Sequence, residues 1–212
     1  MSALSYATAQ FLRVLPRARI SHAAGRLADR TWSPSVGRAI VRVYSRLYDV
    51  ALDECEQRDG WQSFDEFFTR RLRVGARPLE GDSQIVVSPA DGRVDSMERV
   101  DSDRVYTVKG RPYRVEELIG DPEEAKRYVG GGGCVVYLSP RDYHRVHAPV
   151  SGIVRRVLSI PGDYHPVNQI GVRHVPQLFV RNRRVTIFID APDGLGRVAL
   201  VMVSAMIVGR IT

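Results

Sequence analysis

After Ser33-Pro34, apolar residues recur at steps of four and three: Val36, Ile40, Val43, Leu47 and Val50. That spacing makes one side of an α-helix apolar, while Arg38, Arg42, Arg46 and Asp49 fall elsewhere on the wheel. Ser33 has the chemistry of an N-cap, and Pro34 suits the first helical position, where no amide hydrogen is required. An earlier helical segment, from about Tyr6 to Asp29, carries Phe11, Leu12, Val14, Leu15, Ile20 and Leu27, with a break or kink expected at Pro16. Ser63-Phe64-Asp65-Glu66 has the S-x-x-E form of a capping box, so a short helix bearing Phe64, Phe67, Phe68 and Leu72 should start there.

Beyond Arg77-Pro78 the texture changes. Short β-branched runs alternate with turn signals: Ile85–Val87, Val105–Val108, Cys134–Leu138, Ile153–Leu158, Val185–Asp190 and Val198–Val203. Val185, Ile187 and Ile189 repeat at period two, and Asp193-Gly194 then leads into the last run, which is a hairpin signal. Asp121-Pro122-Glu123-Glu124 should cap a small helix inside this region. The fold class expected is α+β: a basic helical part over residues 1–75, then a β-rich catalytic domain of antiparallel strands over residues 76–212.

Charge follows the same division. The chain of 212 residues carries a net +7, and residues 1–50 hold eight arginines against Asp29 and Asp49. Such an excess suits an anionic surface. A nucleic-acid partner would need basic residues interleaved with stacking aromatics on the β-rich part, which is almost neutral, so none is expected. Two cysteines, Cys55 and Cys134, make no disulfide framework or zinc motif and suit a reducing compartment. No stretch reaches the ~18–20 apolar residues that span a bilayer. Any meeting with a membrane is expected to be peripheral. The amphipathic segments could serve it, or could simply cap the β-rich part with their apolar faces.

Few residues stand out chemically. Gly130–Gly133 lacks the Lys-Ser/Thr of a phosphate loop and reads as a flexible loop before a strand. His144 and His147 lie in a stretch bracketed by Pro140 and Pro149. The prolines argue against the helix that would bring two histidines three apart onto one face, and no third ligand follows, so no metal site is expected. The pair does supply two groups that move protons near neutral pH. Asp91-Gly92 reads first as a turn, and Asp163 and Asn168 as turn residues too.

Taken in order, longer motifs carry more. They are Phe64-Asp65-Glu66-Phe67-Phe68-Thr69-Arg70-Arg71-Leu72 with Arg77-Pro78, Ser88-Pro89-Ala90-Asp91-Gly92, the run from Tyr137 to Pro149 containing Tyr143-His144-Arg145-Val146-His147, Pro161-Gly162-Asp163 with Val167-Asn168, Leu178-Phe179 with Asn182, and Val208-Gly209. In this order and spacing the chain resembles the bacterial phosphatidylserine decarboxylase proenzymes. The resemblance implies a lyase whose cofactor is a covalent pyruvoyl group, made when the proenzyme cuts itself before a serine. His147 would be the base that activates that serine and Asp91 its orienting carboxylate, in the manner of a Ser-His-Asp triad. His144 would act in the decarboxylation step, as proton donor. Tyr143, Val167 and Asn168 would meet the substrate. The implied partners are phosphatidylserine, an anionic membrane surface, a smaller pyruvoyl-bearing chain and a second copy in a homodimer. The implied location is the cytoplasmic side of the cell membrane, peripherally bound. The family's processing serine would fall beyond Thr212, so this chain would be most of the larger, β-chain portion. Arg183, Ser204 and His165 depart from the usual family residues, and the alternative reading is an inactive lipid-binding relative.

Overall fold

The computed structural model describes residues 16–79, 81, 82, 84–192 and 194–212. Three helices come first: α1 (Arg17–Ala28), α2 (Pro34–Tyr48) and α3 (Phe64–Phe68). α1 begins directly after Pro16, and the earlier part of that expected segment, with Phe11, Leu12, Val14 and Leu15, lies outside the described residues. α2 has Pro34 in its first turn, but the Ser33 hydroxyl faces Ser35 rather than the backbone. α3 is capped as expected: Ser63 Oγ accepts from the Glu66 amide at 3.1 Å, and Glu66 reaches back to the Gln62 amide at 2.7 Å. Val41, Val50, Cys55, Trp61 and Phe67 form the small core of this part, with Trp32, Tyr44, Leu52 and Phe64 packed around it. Gly37 lets α2 come close, since a Cβ there would stand 3.1 Å from the Trp32 ring.

The rest is strands with short helices, and every strand pairing is antiparallel. β1 (Arg93–Arg99) pairs with β4 (Gly132–Tyr137), and β2 (Val105–Val108) with β3 (Arg111–Arg114). β5 (Ile153–Ile160), β6 (Arg184–Ala191) and β7 (Gly196–Val203) make a three-stranded meander. Between the strands lie α4 (Val115–Ile119), α5 (Pro122–Ala125), α6 (Gln169–His174) and α7 (Leu178–Arg181). Asp121 caps α5 through the Glu124 amide at 2.9 Å, as its motif predicts. Tyr106, Tyr113, Ile119, Leu178, Phe179 and Phe188 are at the centre of the larger core. The α+β class stands.

Several strand expectations need correction. Ile85–Val87 is not a strand: the Ile85 amide closes a local turn on the Asp82 carbonyl at 3.3 Å, and the Val87 amide donates to the Pro149 carbonyl at 2.9 Å. β1 was not foreseen, because Arg93, Asp95, Glu98 and Arg99 hide a strand whose partner β4 fixes it. Gly132 and Gly133 belong to β4 rather than to a loop, and a Cβ on Gly133 would collide with the Tyr106 ring at 2.4 Å.

α1 docks on the C-terminal end of the described chain. Arg17 donates to the Asp163 carboxylate at 3.0 and 2.5 Å, the Ser21 hydroxyl accepts from the Ile207 amide at 3.2 Å, and Arg210 forks onto Asp29 at 2.8 Å. Buried Asn182 ties this end together: its amide oxygen takes the His165 amide, and its nitrogen donates to the His165 and Ser204 carbonyls, all at 2.8 Å. His165 and Ser204, two of the sequence departures, thus sit in one buried knot.

Candidate active site

Residues 138–152 carry no helix or strand. Pro140 and Pro149 remove amide donors that a ladder would need, so the segment is held by other means. The helical part supplies most of them. Tyr44 Oη donates to the Pro140 carbonyl at 3.0 Å, Arg70 Nη2 to the Arg141 and Asp142 carbonyls at 3.0 and 3.3 Å, and Arg145 Nε to the Thr69 carbonyl at 2.8 Å. Within the segment, Asp142 Oδ2 accepts from the Ser139 amide at 2.6 Å. The histidine loop therefore crosses the expected boundary at residue 75 by its packing.

His144 is half-buried against Phe68, with ring centroids 3.9 Å apart. Its Nδ1 stands 2.9 Å from the Asp142 carbonyl oxygen. A carbonyl only accepts, so Nδ1 carries the proton and Nε2 is the free, basic nitrogen of the neutral ring. Burial pushes the pKa of His144 below the ordinary value, with the Arg70 charge acting in the same direction and the Asp142 carbonyl opposing it. The ring is thus neutral at rest, and its protonated form is a stronger acid than a free imidazolium.

His147 is exposed, and its Nε2 lies 3.1 Å from the Tyr143 hydroxyl. The two rings stack at 5.5 Å and 18°. Nδ1 of His147 has no hydrogen-bond partner among the described residues. Tyr143 itself is buried, so its hydroxyl is what it presents to the site. Burial also raises the proton affinity of that phenol, which stays protonated.

Asp91 approaches through backbone pairing. The His147 amide donates to the Pro89 carbonyl at 2.8 Å, which sets the Ser88–Gly92 segment beside the histidine loop. Gly92 does not make a left-handed turn. Its role is close approach, since a Cβ there would stand 2.6 Å from the Tyr137 carbonyl oxygen. The carboxylate of Asp91 is held by Arg77, Nε at 2.7 Å and Nη2 at 2.6 Å, and Arg77 also reaches Glu54 at 2.8 Å. Among the described residues no hydrogen bond joins Asp91 to His147.

Among the described residues no hydrogen bond joins Val167 or Asn168 to either histidine. Val167 packs on the larger core and its carbonyl accepts from Lys109 Nζ at 3.3 Å. Asn168 caps α6, its Oδ1 taking the Gly171 amide at 3.1 Å. Lys109 is the link between the regions: its ammonium also pairs with Asp95 at 3.3 Å and sits 4.1 Å from the Tyr137 ring centre. Sequence reasoning assigned no role to Lys109, Arg77, Arg70 or Phe68. Three of them stand in the quoted motifs, and only Lys109 lacked any such signal.

An antiparallel α+β body with a proline-bracketed loop holding two histidines defines a class of protein that the comparisons make specific. The phosphatidylserine decarboxylase family profile matches residues 64–212. The chain is 39% identical over 200 residues to the phosphatidylserine decarboxylase proenzyme of Acinetobacter baumannii, covering 93% of this chain and 70% of the relative. It is 39% identical over 204 residues to that of Myxococcus xanthus, covering 95% and 72%, and 39% over 201 residues to that of Azotobacter vinelandii, covering 93% and 69%. The chain belongs to the phosphatidylserine decarboxylase family.

Proposed function

We propose that this chain carries the acid–base machinery of a phosphatidylserine decarboxylase, releasing carbon dioxide from phosphatidylserine to leave phosphatidylethanolamine. The observation that carries the reading is the single loop on which His144 and His147 each leave one ring nitrogen without a hydrogen-bond partner among the described residues. That donor set fits a pyruvoyl group generated from a serine of the same proenzyme. Such a group, when present, supplies an electron sink for the bond broken as carbon dioxide leaves.

His147, exposed and with Nδ1 available, takes the proton of the serine hydroxyl during self-cleavage. Tyr143 holds its other nitrogen and fixes the ring plane by stacking. Asp91 steadies the positive charge that then develops on His147, with both Arg77 contacts falling on Oδ2. His144 holds its Nδ1 proton on the Asp142 carbonyl, takes up a proton from solvent at Nε2 and passes it to the substrate carbon that carbon dioxide leaves. Phe68 packs on that ring and fixes its plane. Val167 and Asn168 contribute a wall of the substrate pocket, with Lys109 setting the position of the Val167 carbonyl.

The substrate's acyl chains stay in a bilayer, and no helix among the described residues is long and apolar enough to cross one. The apolar stripe of α2 is suited to docking at the surface instead. Val36, Ile40, Val43 and Leu47 all face solvent, Val43 at 65% and Leu47 at 71% exposure, while Gly37 and Val41 take the buried side. The division into a docking part over residues 1–75 and a catalytic part over residues 76–212 is proposed with this amendment: the docking part also holds the histidine loop. A smaller processed chain, a homodimer and a place on the cytoplasmic face of the cell membrane complete the reading.

The test exchanges the two histidines in the complete gene product. His147→Ala should leave an uncut chain on a denaturing gel. His144→Ala should cut normally and lose ~10²–10⁴-fold in phosphatidylserine decarboxylation. Normal cutting in the His147 variant sinks the assignment of the base. A complete, wild-type product that neither cuts nor decarboxylates is the inactive lipid-binding relative.

A further inference from the structure

Where the buried side of α2 opens to solvent beside Gly37 and Val41, a groove of about 480 Å³ lies between that helix and the turn at residues 58–61. Arg38, Arg42 and Arg46 line it from α2 at steps of four, which stacks three guanidinium groups along one face. Arg58 faces them from the turn, and Trp61 lies at the floor. All four arginines are exposed, and among the described residues none forms an ion pair or hydrogen bond. Asp49 and Asp59 border the groove too, yet neither comes within ion-pair distance of them, which leaves the lining at net +2. The Ser45 hydroxyl is enclosed in the same wall and also lacks a partner.

Elsewhere some exposed arginines find carboxylates, as Arg77, Arg93, Arg155 and Arg210 do. Others, such as Arg71, Arg73 and Arg99, form no ion pair among the described residues. What sets the groove apart is that four arginines line one concavity. A row of like charges with no counter-charge matches a ligand that brings its own negative oxygens. Guanidinium forks suit phosphate oxygens in particular. The same helix turns the exposed stripe of Val36, Ile40, Val43 and Leu47 to a neighbouring side, so an occupant with an apolar tail fits both features at once.

We propose that this groove binds the phosphate headgroup of an anionic glycerophospholipid in the bilayer, at a site separate from the histidine loop. The inference rests on the docking reading above and makes it specific: the stripe supplies apolar burial, and the groove selects the headgroup. Lipid occupancy would also set the angle of α2, whose Tyr44 bonds the histidine loop at Pro140.

Vesicle co-sedimentation tests it, with phosphatidylcholine alone and with added phosphatidylglycerol. Wild-type protein should bind the anionic vesicles more tightly. The variant Arg42→Gln/Arg46→Gln/Arg58→Gln should lose roughly tenfold or more of that increment while keeping its binding to phosphatidylcholine. A charge-matched control, Arg99→Gln/Arg127→Gln/Arg155→Gln, should keep the increment. Equal loss in the control would reduce the groove to diffuse charge, and no loss in the groove variant would also overturn the proposal. Val43→Ser/Leu47→Ser separates the underlying reading, since it should weaken binding to both vesicle types. If it weakens both while the groove variant changes nothing, docking survives and the groove fails. If wild-type protein binds neither vesicle, both fail. Calorimetry with inorganic phosphate separates the sources: free phosphate bound as tightly as the vesicle headgroup would replace the lipid by a soluble anion and overturn the assignment.

Discussion

Two buried arginines show how differently the two parts of this molecule are built. Arg184, in the β-rich part, donates to the carbonyls of Glu117, Leu118, Val180 and Asn182, which ties α4 and α7 to β6. Burial lowers its proton affinity, yet four carbonyls compensate the lost hydration. Arg70, in the helical part, uses Nη2 alone for two carbonyls, and its Nε and Nη1 are buried without partners among the described residues. The β-rich part surrounds Arg184 with acceptors, although the hydroxyls of Tyr106, Tyr128 and Thr186 are buried there without a hydrogen-bond partner among the described residues. The helical part keeps an open apolar stripe, an unpaired row of arginines and a half-satisfied guanidinium behind the histidine loop.

The comparison is broken most sharply at Asn182. Its replacement by alanine strands the His165 amide and two carbonyls in a dry site, so a loss on the order of 3 kcal/mol in unfolding free energy is expected. Urea unfolding measures it, and a loss under ~0.5 kcal/mol would mean that the β-rich part is not as closed as its hydrogen bonds imply.

A smaller effect separates the two sides of α2. Val41 is 6% exposed, and Val41→Ala should cost about 1.5 kcal/mol for two lost buried methyl groups. Val43→Ala, on the open stripe, should change stability by no more than about 0.5 kcal/mol. Equal losses would show that the stripe is covered by protein.

Phe68→Ala sharpens the histidine loop. Burial is the main cause of the lowered pKa of His144, so uncovering the ring should move it up toward ~6.5. Proton NMR of the ring during titration reads the shift, and an unchanged midpoint would assign the depression to Arg70 instead. The sign for stability follows. The unfolded chain holds the His144 proton more tightly, so this contribution is full above ~6.5 and is lost as the pH falls through that value toward the folded pKa.

The smallest effect belongs to a lower window. Arg17 holds Asp163 down to about 2, with burial opposing it and the Tyr164 amide and His165 assisting. Stability from this contact is present above the usual carboxylate value of 3.8 and is lost as the pH falls through about 2. With the carboxylate a third exposed, screening leaves on the order of 1 kcal/mol. Arg17→Gln should remove it from the acid limb of a thermal-melt series, and an unaltered limb would detach α1 from this contact.

Local chemistry was legible from the chain alone wherever neighbours in sequence are also partners in space. The caps at Ser63 and Asp121, the start of α2 at Pro34 and the antiparallel β6–β7 pair all close within a few residues, so pattern and propensity suffice. The two histidines stood out by their chemistry, as groups that move protons near neutral pH, and their separate roles came only from the family resemblance. Tertiary structure decided the rest. The charged strand β1 exists because β4 lies beside it, Gly92 is required by the Tyr137 carbonyl rather than by a turn, and Asp91 meets Arg77 from 14 residues away. Periodicity drew the stripe of α2 but not its direction, because a helix wheel records which residues share a side and says nothing about which side finds a core. Here the aromatic cluster around Trp61 and Phe67 took the narrower side with Gly37 and Val41, and left the more hydrophobic one facing outward.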